Sequence, residues 1–181
     1  REPDLATKQR YAREKERIAR YAAGLVSGDD VVFLDTGTTV LHMADHLKDS
    51  KALFITSSID LAGMLSAHER RVYILGGALK PGTVDIVGAE ALETLRRYNF
   101  TKVFLGASGV SVSQGFTTPD PEAAALKSLA ASRAQTAYML VDSSKFGRVT
   151  AASILPLGRA GIITDRVPDE KYLDCTEIVE V

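Results

Sequence analysis

One polar segment that directly follows an apolar run is well suited by its residue types to bind a ligand. Val31–Leu34 reads Val-Val-Phe-Leu, which predicts a buried strand, and Asp35-Thr36-Gly37-Thr38-Thr39 follows before a pattern typical of an amphipathic helix. Such a strand-to-helix corner points backbone N–H groups at one place, with the positive end of the helix dipole behind them. The segment contains neither the phosphate-loop motif nor GxGxxG. Two interpretations therefore stay open, an anion-binding turn and an ordinary turn of an α/β domain.

Small or polar residues also follow the other predicted strands. They are Thr56, Ser57 and Ser58 after the second strand, Gly76 and Gly77 after the third, Gly106 after the fourth, and Asp142 and Lys145 after a later one. In an open parallel sheet these strand ends share one edge, where ligands bind. Glycine lets a ligand approach the main chain and hydroxyls donate to oxygen, so the set suits a hydroxyl-rich anion. The alternative is that such loops are polar and glycine-rich in any α/β fold.

Alternating strands and helices must position these residues, and hydrophobic periodicity predicts both kinds of element. The sequence predicts strands at 31–34, 53–55, 72–75, 103–105 and 138–141, then 153–155 and 161–163 to finish the sheet, and an edge strand within 175–181. Helices are predicted at 5–25, 39–47, 59–67, 88–98 and 121–133, with Ser57 or Ser58 and Asp120 as N-caps. Because the strands are mostly apolar, the expected fold class is α/β, a mostly parallel open sheet with helices on both faces.

Bulk properties exclude several classes of protein. A chain of 181 residues with 45% hydrophobic and 25% charged residues fits one globular domain. A net charge of −1 argues against direct electrostatic binding of nucleic acid. The single cysteine, Cys175, forms no internal disulfide, which is consistent with the cytoplasm, and no apolar run reaches membrane-spanning length. The chain opens at Arg1 rather than Met, so we expect a fragment of a longer protein.

The candidate motifs occur in a fixed order across nearly the whole chain. They are Asp35-Thr36-Gly37-Thr38-Thr39, Thr56-Ser57-Ser58, Gly76-Gly77-Ala78-Leu79, Gly88-Ala89-Glu90-Ala91, Gly115-Phe116-Thr117, Glu122-Ala123 with Lys127, and Asp142-Ser143-Ser144-Lys145-Phe146-Gly147. Together they resemble the C-terminal sensor domain of DeoR-type bacterial transcriptional repressors. Residues 14–19 resemble the helix that leads into that domain.

This resemblance implies a function and an organisation. The fold would be similar to ribose-5-phosphate isomerase and glucosamine-6-phosphate deaminase, and the effector would be a phosphorylated sugar or related metabolite. Residues 1–27 would form a lead-in helix packed on a sensor domain of residues 28–181. Operator DNA would be bound only by a winged helix-turn-helix upstream, absent from this chain. We expect a homo-oligomer, a dimer or tetramer, with no catalytic activity, no cofactor and no membrane contact.

The resemblance also gives each candidate ligand residue a role. Gly37, Thr38 and Thr39 would hold the phosphate, Asp35 and Asp142 would accept hydrogen bonds from sugar hydroxyls, and Lys145 would supply charge. Thr56, Ser57, Gly76, Gly77 and Gly106 would line the rest of the crevice, with Glu122 and Lys127 as further candidates. The structural alternatives are that Asp35 and Asp142 cap turns, that Lys145 is a solvated lysine, and that Glu122 and Lys127 stabilise their helix.

Other interpretations of the sequence remain. A sugar-phosphate isomerase or deaminase would need a carboxylate base, for which Asp120 or Glu122 could serve together with Lys127 or Lys145. A plain oligomerisation module would use the charged helix 5–25 to pack against a neighbouring subunit. His42 and His46 are four residues apart on one helix, but no third ligand is evident, so we expect no metal site.

Overall fold

A sheet of seven parallel strands forms the centre of the protein in the computed structural model, which describes residues 11–181. The spatial order is β12 (Ile178–Glu180), β11 (Gly161–Thr164), β9 (Ala134–Leu140), β6 (Phe100–Gly106), β1 (Val31–Leu34), β2 (Leu53–Thr56) and β3 (Arg71–Ile74). Every neighbouring pair is parallel. The predicted parallel sheet is therefore confirmed, and the C-terminal segment does supply an edge strand.

Five helices pack against this sheet. They are α1 (Ala12–Gly24), α2 (Thr38–Leu41), α3 (Ile59–Ala67), α4 (Ala89–Leu95) and α5 (Pro121–Ser132). Short 3₁₀ turns lie at His42–His46, Ser143–Lys145, Leu157–Arg159 and Glu170–Tyr172. The Ser58 side chain accepts from the Leu61 N–H at 3.2 Å and caps α3, while Asp120 accepts from the Glu122 N–H at 3.0 Å and caps α5. No described helix is long and apolar enough to cross a membrane.

The core has two halves because successive strand residues point to opposite faces of the sheet. Phe33 and Val103 face one way and pack with the buried residues of α4 and α5. Leu34 and Phe104 face the other way and pack with α1, α2 and α3. Helices therefore cover both faces, as the apolar strands predicted. The predicted start of the lead-in helix lies outside the described residues.

Two smaller sheets lie beside the central one. β10 (Ala152–Leu155), β8 (Gly115–Thr118) and β7 (Gly109–Ser111) form an antiparallel sheet, and β4 (Ala78–Leu79) pairs antiparallel with β5 (Ile86–Val87). The prediction that residues 153–155 join the main sheet is wrong, because this strand pairs with β8 instead. At Gly115 an added Cβ would lie 2.2 Å from the Leu155 carbonyl oxygen, so a glycine is needed where these strands meet.

The predicted helix at 39–47 is only partly correct. The α-helix covers Thr38–Leu41 and continues as a 3₁₀ turn over His42–His46. Val40, Met43, Ala44 and Leu47 are all buried, so the apolar spacing marked the buried face correctly but did not distinguish an α-helix from a 3₁₀ turn.

The order of the strands creates one crevice. The chain runs outward from β1 through β2 to β3 and then returns to place β6 on the other side of β1. The connections after β1 and β6 therefore diverge in opposite directions. In open α/β sheets, ligands bind at this point, outside the carboxyl ends of the two strands.

Candidate anion-binding site

A cleft of about 580 Å³ lies at the carboxyl ends of β1 and β6, where the strand order reverses. Seven of the predicted ligand residues line it. They are Gly37, Thr38, Thr39, Gly106, Lys127, Asp142 and Lys145. They come from four separate parts of the chain, namely the turn after β1, the end of β6, helix α5 and the turn after β9. The strand order thus brings together residues that are up to 108 positions apart in the sequence.

The turn after β1 presents its backbone to this cleft. Gly37 has φ of +120° and ψ of 157°, a conformation that L side chains rarely adopt, and the space where its Cβ would lie is empty. Gly37 and Thr38 are exposed, while Thr39 is only 9% exposed. The first N–H groups of α2 have no acceptor within the helix and face this end of it. This turn can therefore donate backbone and hydroxyl hydrogen bonds to an anion.

Cationic side chains outnumber acidic ones around the cleft. Lys15, Lys80, Lys127, Lys145 and Arg148 line it, against the three carboxylates of Asp85, Asp120 and Asp142. The chain as a whole carries a net charge of −1, so the charge of the cleft lining is opposite in sign to that of the chain. A cleft with this charge favours an anionic ligand.

Lys127 and Asp35 form a buried ion pair beneath the cleft. Lys127 is 7% exposed and Asp35 is 2% exposed, and the Asp35 carboxylate also accepts from the Gly106 N–H at 2.9 Å. Lys127 lines the cleft, but Asp35 lies behind it. Asp35 therefore fixes Lys127 and the end of β6, which is closer to the structural alternative than to direct contact with a sugar.

The turn after β9 is held by its own acidic residues. Asp142 accepts from both the N–H and the hydroxyl of Ser144, and Asp165 accepts from the Ser143 N–H at 2.7 Å. Asp142 thus caps the 3₁₀ turn while it also borders the cleft. This capping fixes Lys145, which is half-buried at the cleft wall.

Asp120 is likewise held by neighbours. Its carboxylate lies 3.0 Å from Lys80 Nζ and accepts from the Glu122 N–H. Burial raises the pKa of Asp120, but the hydrogen bonds from Lys80 and from the Glu122 backbone outweigh it and lower the pKa overall. A carboxylate with a lowered pKa is a weaker base, which disfavours the role of catalytic base that the isomerase interpretation gives to Asp120.

Five further predicted residues do not line the cleft. The Thr56 hydroxyl donates to the Leu34 carbonyl at 2.7 Å and accepts from the Ser58 N–H at 3.1 Å, so it ties β2 to β1. Ser57 is completely buried, and Glu122 is exposed on α5. Gly76 and Gly77 follow β3, the edge strand farthest from the β1–β6 boundary on that side. Thr56, Ser57, Gly76 and Gly77 thus share the sheet edge with the cleft but are too far along it or too deeply buried to border it, and Glu122 is on the exposed surface of α5.

Sequence reasoning missed several cleft residues, of which Lys15 is the most informative. Lys15 lies on α1 and is only 6% exposed. It shares the i, i+3, i+4, i+7 stripe with Ile18, Ala19 and Ala22, which pack on the sheet. A lysine on an otherwise apolar stripe was the available signal. Lys80 and Arg148 lie in loops whose conformation the sequence did not predict.

Helix α1 is also tied to the segment that follows the glycine turn. The Glu16 carboxylate bonds both His42 Nδ1, at 3.0 Å, and His46 Nε2. Burial raises the pKa of Glu16, but the hydrogen bonds with His46 and His42 outweigh it and lower the pKa overall. Among residues 11–181, no group of three or more acidic, histidine or cysteine side chains is arranged to hold a metal ion.

The sequence comparison identifies the family. The profile described as "DeoR C terminal sensor domain" matches residues 10–166, which is most of the chain. The chain belongs to the DeoR C-terminal sensor domain family. The resemblance inferred from the ordered motifs is thus confirmed, and the cleft lies within the matched residues.

Full-length regulators are among the relatives of this DeoR-type sensor domain. It is 40% identical over 165 residues to the "Uncharacterized HTH-type transcriptional regulator FruR" of Bacillus subtilis, covering 90% of this chain and 66% of the relative. It is 32% identical to the lactose phosphotransferase system repressor of Streptococcus mutans, covering 95% of this chain and 70% of the relative. It is also 32% identical to the deoxyribose operon repressor of Escherichia coli (92% and 67%). The chain spans about two thirds of the length of these relatives.

Solved structures show the same fold at low sequence identity. Ribose 5-phosphate isomerase A from Methanocaldococcus jannaschii aligns with a TM-score of 0.54 and 19% identity, over 73% of this chain and 53% of that one. The δ subunit of eIF2B from Chaetomium thermophilum aligns with a TM-score of 0.57 and 16% identity, over 80% and 52%. The fold class predicted from the sequence is confirmed. At these identities the likeness concerns the fold alone.

Proposed function

We propose that the cleft binds a phosphorylated sugar or a related metabolite, and that this binding controls operator DNA binding by a helix-turn-helix elsewhere in a longer protein. The observation that carries the proposal is the meeting of the Gly37–Thr39 turn with five cationic side chains in one cleft. Unsatisfied backbone N–H groups and surplus positive charge suit a phosphate, and the neighbouring hydroxyls suit a sugar. Two relatives are named as repressors of the lactose phosphotransferase system and of the deoxyribose operon.

The lead-in helix offers a route from the cleft towards the rest of such a protein. Lys15 brings α1 to the cleft wall, and Glu16 joins α1 to the 3₁₀ turn that follows the glycine turn. A phosphate that contacts Lys15 and the Gly37–Thr39 turn would hold these two elements together. We infer that α1 belongs to the lead-in segment of residues 1–27 and that residues 28–181 form the sensor domain.

Binding without turnover is favoured by the state of the carboxylates. Proton abstraction beside a sugar carbonyl needs a carboxylate that is free to take a proton. Asp35 is bound by Lys127, Asp120 by Lys80 and Asp142 by Ser144. Glu122, the other candidate base, does not line the cleft. We therefore infer a sensor rather than an isomerase or deaminase. Incubation with ribose 5-phosphate and glucosamine 6-phosphate should give no turnover at ordinary enzyme rates, and such turnover would contradict the sensor function.

The proposal is tested by calorimetric titration with a panel of pentose and hexose monophosphates. A panel member should bind the wild-type chain, and Thr38→Asp should weaken that binding at least tenfold, because it adds a negative charge beside the phosphate. Ser113→Asp is the matched control, since Ser113 is also exposed but lies outside the cleft. Unchanged affinity in Thr38→Asp would remove this turn as the phosphate site.

A further inference from the structure

Exposed apolar side chains are concentrated at one end of the central sheet. Within residues 11–181, nine large hydrophobic side chains are exposed, and five of them lie at this end. They are Tyr73 and Ile74 on β3, Leu79 and Val84 on the β4–β5 hairpin, and Ile59 at the start of α3. The Ile59 N–H donates to the Val84 carbonyl at 3.0 Å, which joins the hairpin to α3. We call these five residues the β3 patch.

The patch surrounds an unpaired strand edge. β3 pairs only with β2 among the described strands. The Leu75 N–H donates to the Thr56 carbonyl of β2 at 3.0 Å, and N–H groups alternate in direction along a strand. Arg71 and Tyr73 therefore direct their backbone groups towards β2, whereas Val72 and Ile74 direct theirs outward. Such a row of backbone groups is a template for pairing with another extended strand.

We propose that this edge is the interface of a homodimer, in which β3 of one copy pairs antiparallel with β3 of a second copy. The two-fold axis passes beside Tyr73, so that Tyr73 of each copy lies opposite the other. Val72 of each copy then lies opposite Ile74 of its partner. The pairing joins two seven-stranded sheets into one continuous sheet of fourteen strands.

The direction of the backbone groups is satisfied by this register. Outward-facing residues must lie opposite each other to exchange hydrogen bonds in an antiparallel pair. A register centred on Tyr73 uses the N–H groups of both Val72 and Ile74 in each copy. A register centred on Val72 would instead place Ile74 opposite Arg70, whose N–H already donates to the Leu65 carbonyl at 2.9 Å. The register at Tyr73 also keeps the two Arg71 side chains from lying opposite each other, since each faces Leu75.

The size of the patch fits a second copy of the chain. Its five side chains are 38–54% exposed, which leaves roughly 400 Å² of apolar surface on each copy. This is about half of the roughly 800 Å² that a stable interface buries per partner, and the strand edge with the polar residues around the patch must supply the rest. A two-fold interface must complement itself, and a strand edge flanked by apolar side chains does so.

Disulfide trapping tests the register directly. In the 181-residue chain with Cys175→Ser, the change Tyr73→Cys places the sole thiols of two copies opposite each other, about 4.5 Å apart between Cα atoms. Mild oxidation should convert most of this protein to a covalent dimer. Leu173→Cys in the same background is the control, because Leu173 is 55% exposed and Tyr73 is 54% exposed. Equal cross-linking of the two variants would overturn the proposal.

Sedimentation without cross-linking tests the oligomeric state independently. The wild-type chain should be a dimer at tens of micromolar, and Tyr73→Lys should shift it to monomer by placing two charges together, whereas Leu173→Lys should stay dimeric. In the wild-type chain, the amide hydrogens of Val72 and Ile74 should exchange with solvent more slowly as the protein concentration rises. This measurement does not depend on the folding of any variant. A wild-type monomer at 100 micromolar, or a dimer that Tyr73→Lys leaves intact, would contradict the β3 interface.

Discussion

Lys127 Nζ and the Asp35 carboxylate lie in contact beneath the cleft, with both side chains more than nine-tenths buried. The pair connects α5 to the end of β1, and the Gly106 N–H connects the same carboxylate to β6. β1 and β6 already pair in the sheet, and this carboxylate adds a tie between their carboxyl ends and α5. A cleft wall that is fixed before ligand arrives loses less conformational entropy on binding.

Removal of Lys127 should strongly destabilise the domain. Lys127→Met leaves the Asp35 carboxylate buried without its cation, and we expect a loss of about 3–5 kcal/mol in the free energy of unfolding by urea. Asp35→Asn combined with Lys127→Met should recover most of that loss, because the amide oxygen can still accept from the Gly106 N–H.

The exposed pair of Lys171 and Asp169 is the control for this experiment. Its atoms are 3.7 Å apart and both side chains are more than half exposed, so Lys171→Met should change stability by less than about 1 kcal/mol. Equal losses in Lys127→Met and Lys171→Met would show that the buried pair has no special role.

Asp30 should make stability depend on pH in the acidic range. Burial raises the pKa of Asp30, but hydrogen bonds from Lys102, Ser27 and Thr101 outweigh it and lower the pKa to about 2. Because the folded-state pKa is depressed, this stabilisation is complete above about pH 4 and is lost as the pH falls towards 2. Asp30→Asn should therefore cost about 2 kcal/mol at pH 7 and much less at pH 2.

Urea unfolding at several pH values measures this difference. Asp29→Asn is the matched control, since Asp29 is the neighbouring exposed carboxylate and its replacement should have little effect at any pH. A cost for Asp30→Asn that does not change between pH 7 and pH 2 would show that the charge of Asp30 is not the source of the stabilisation.

Gly77 should resist replacement although it lies outside the cleft. It has φ of +136°, and an added Cβ would lie 2.8 Å from the Val87 carbonyl oxygen. We expect Gly77→Ala to lower the melting temperature by several degrees, since strain and a backbone clash each cost on the order of 1 kcal/mol. Gly63→Ala, in α3 with open space around it, should instead raise the melting temperature slightly. A neutral Gly77→Ala would show that β5 can move aside.

Lys15 should contribute to ligand binding from the lead-in helix. Lys15→Met keeps the apolar stem but removes the charge at the cleft wall, and we expect about tenfold weaker binding of a sugar phosphate in calorimetric titration. Arg17→Met is the control on the same helix, because Arg17 is exposed and does not line the cleft. Equal affinity for the two variants would place the phosphate away from α1.

Most of the fold could be predicted because its strands carry strong signals. Val31–Leu34 and Ile59–Ala67 were predicted at their observed bounds, since a buried apolar run and a capped helix are local patterns. The β7–β8 and β4–β5 hairpins were missed, because strands of two to four residues show too little alternation to stand out. The strand at 153–155 was found, but its partner depends on Gly115 and Phe116, which are distant in sequence.

The candidate site could be predicted in outline only. The turn at Gly37–Thr39 follows from the sequence because a strand, a glycine and a helix start adjoin there. The sequence did not show that Lys127 lines the cleft and that Asp35 lies behind it. Their positions depend on how α5 packs against the sheet, which no local pattern predicts. Thr56 and Gly77 share the predicted edge, but Thr56 bonds the Leu34 carbonyl and Gly77 adjoins Val87.

An amide NMR titration with sugar phosphates and their unphosphorylated counterparts tests the central claim, that the β1–β6 cleft binds an anionic sugar. A phosphorylated sugar should bind saturably and shift the amides of Gly37–Thr39, Gly106 and Lys145, while its unphosphorylated counterpart should bind far more weakly. Saturable shifts confined to residues outside the cleft, or equal affinity with and without the phosphate, would contradict the claim.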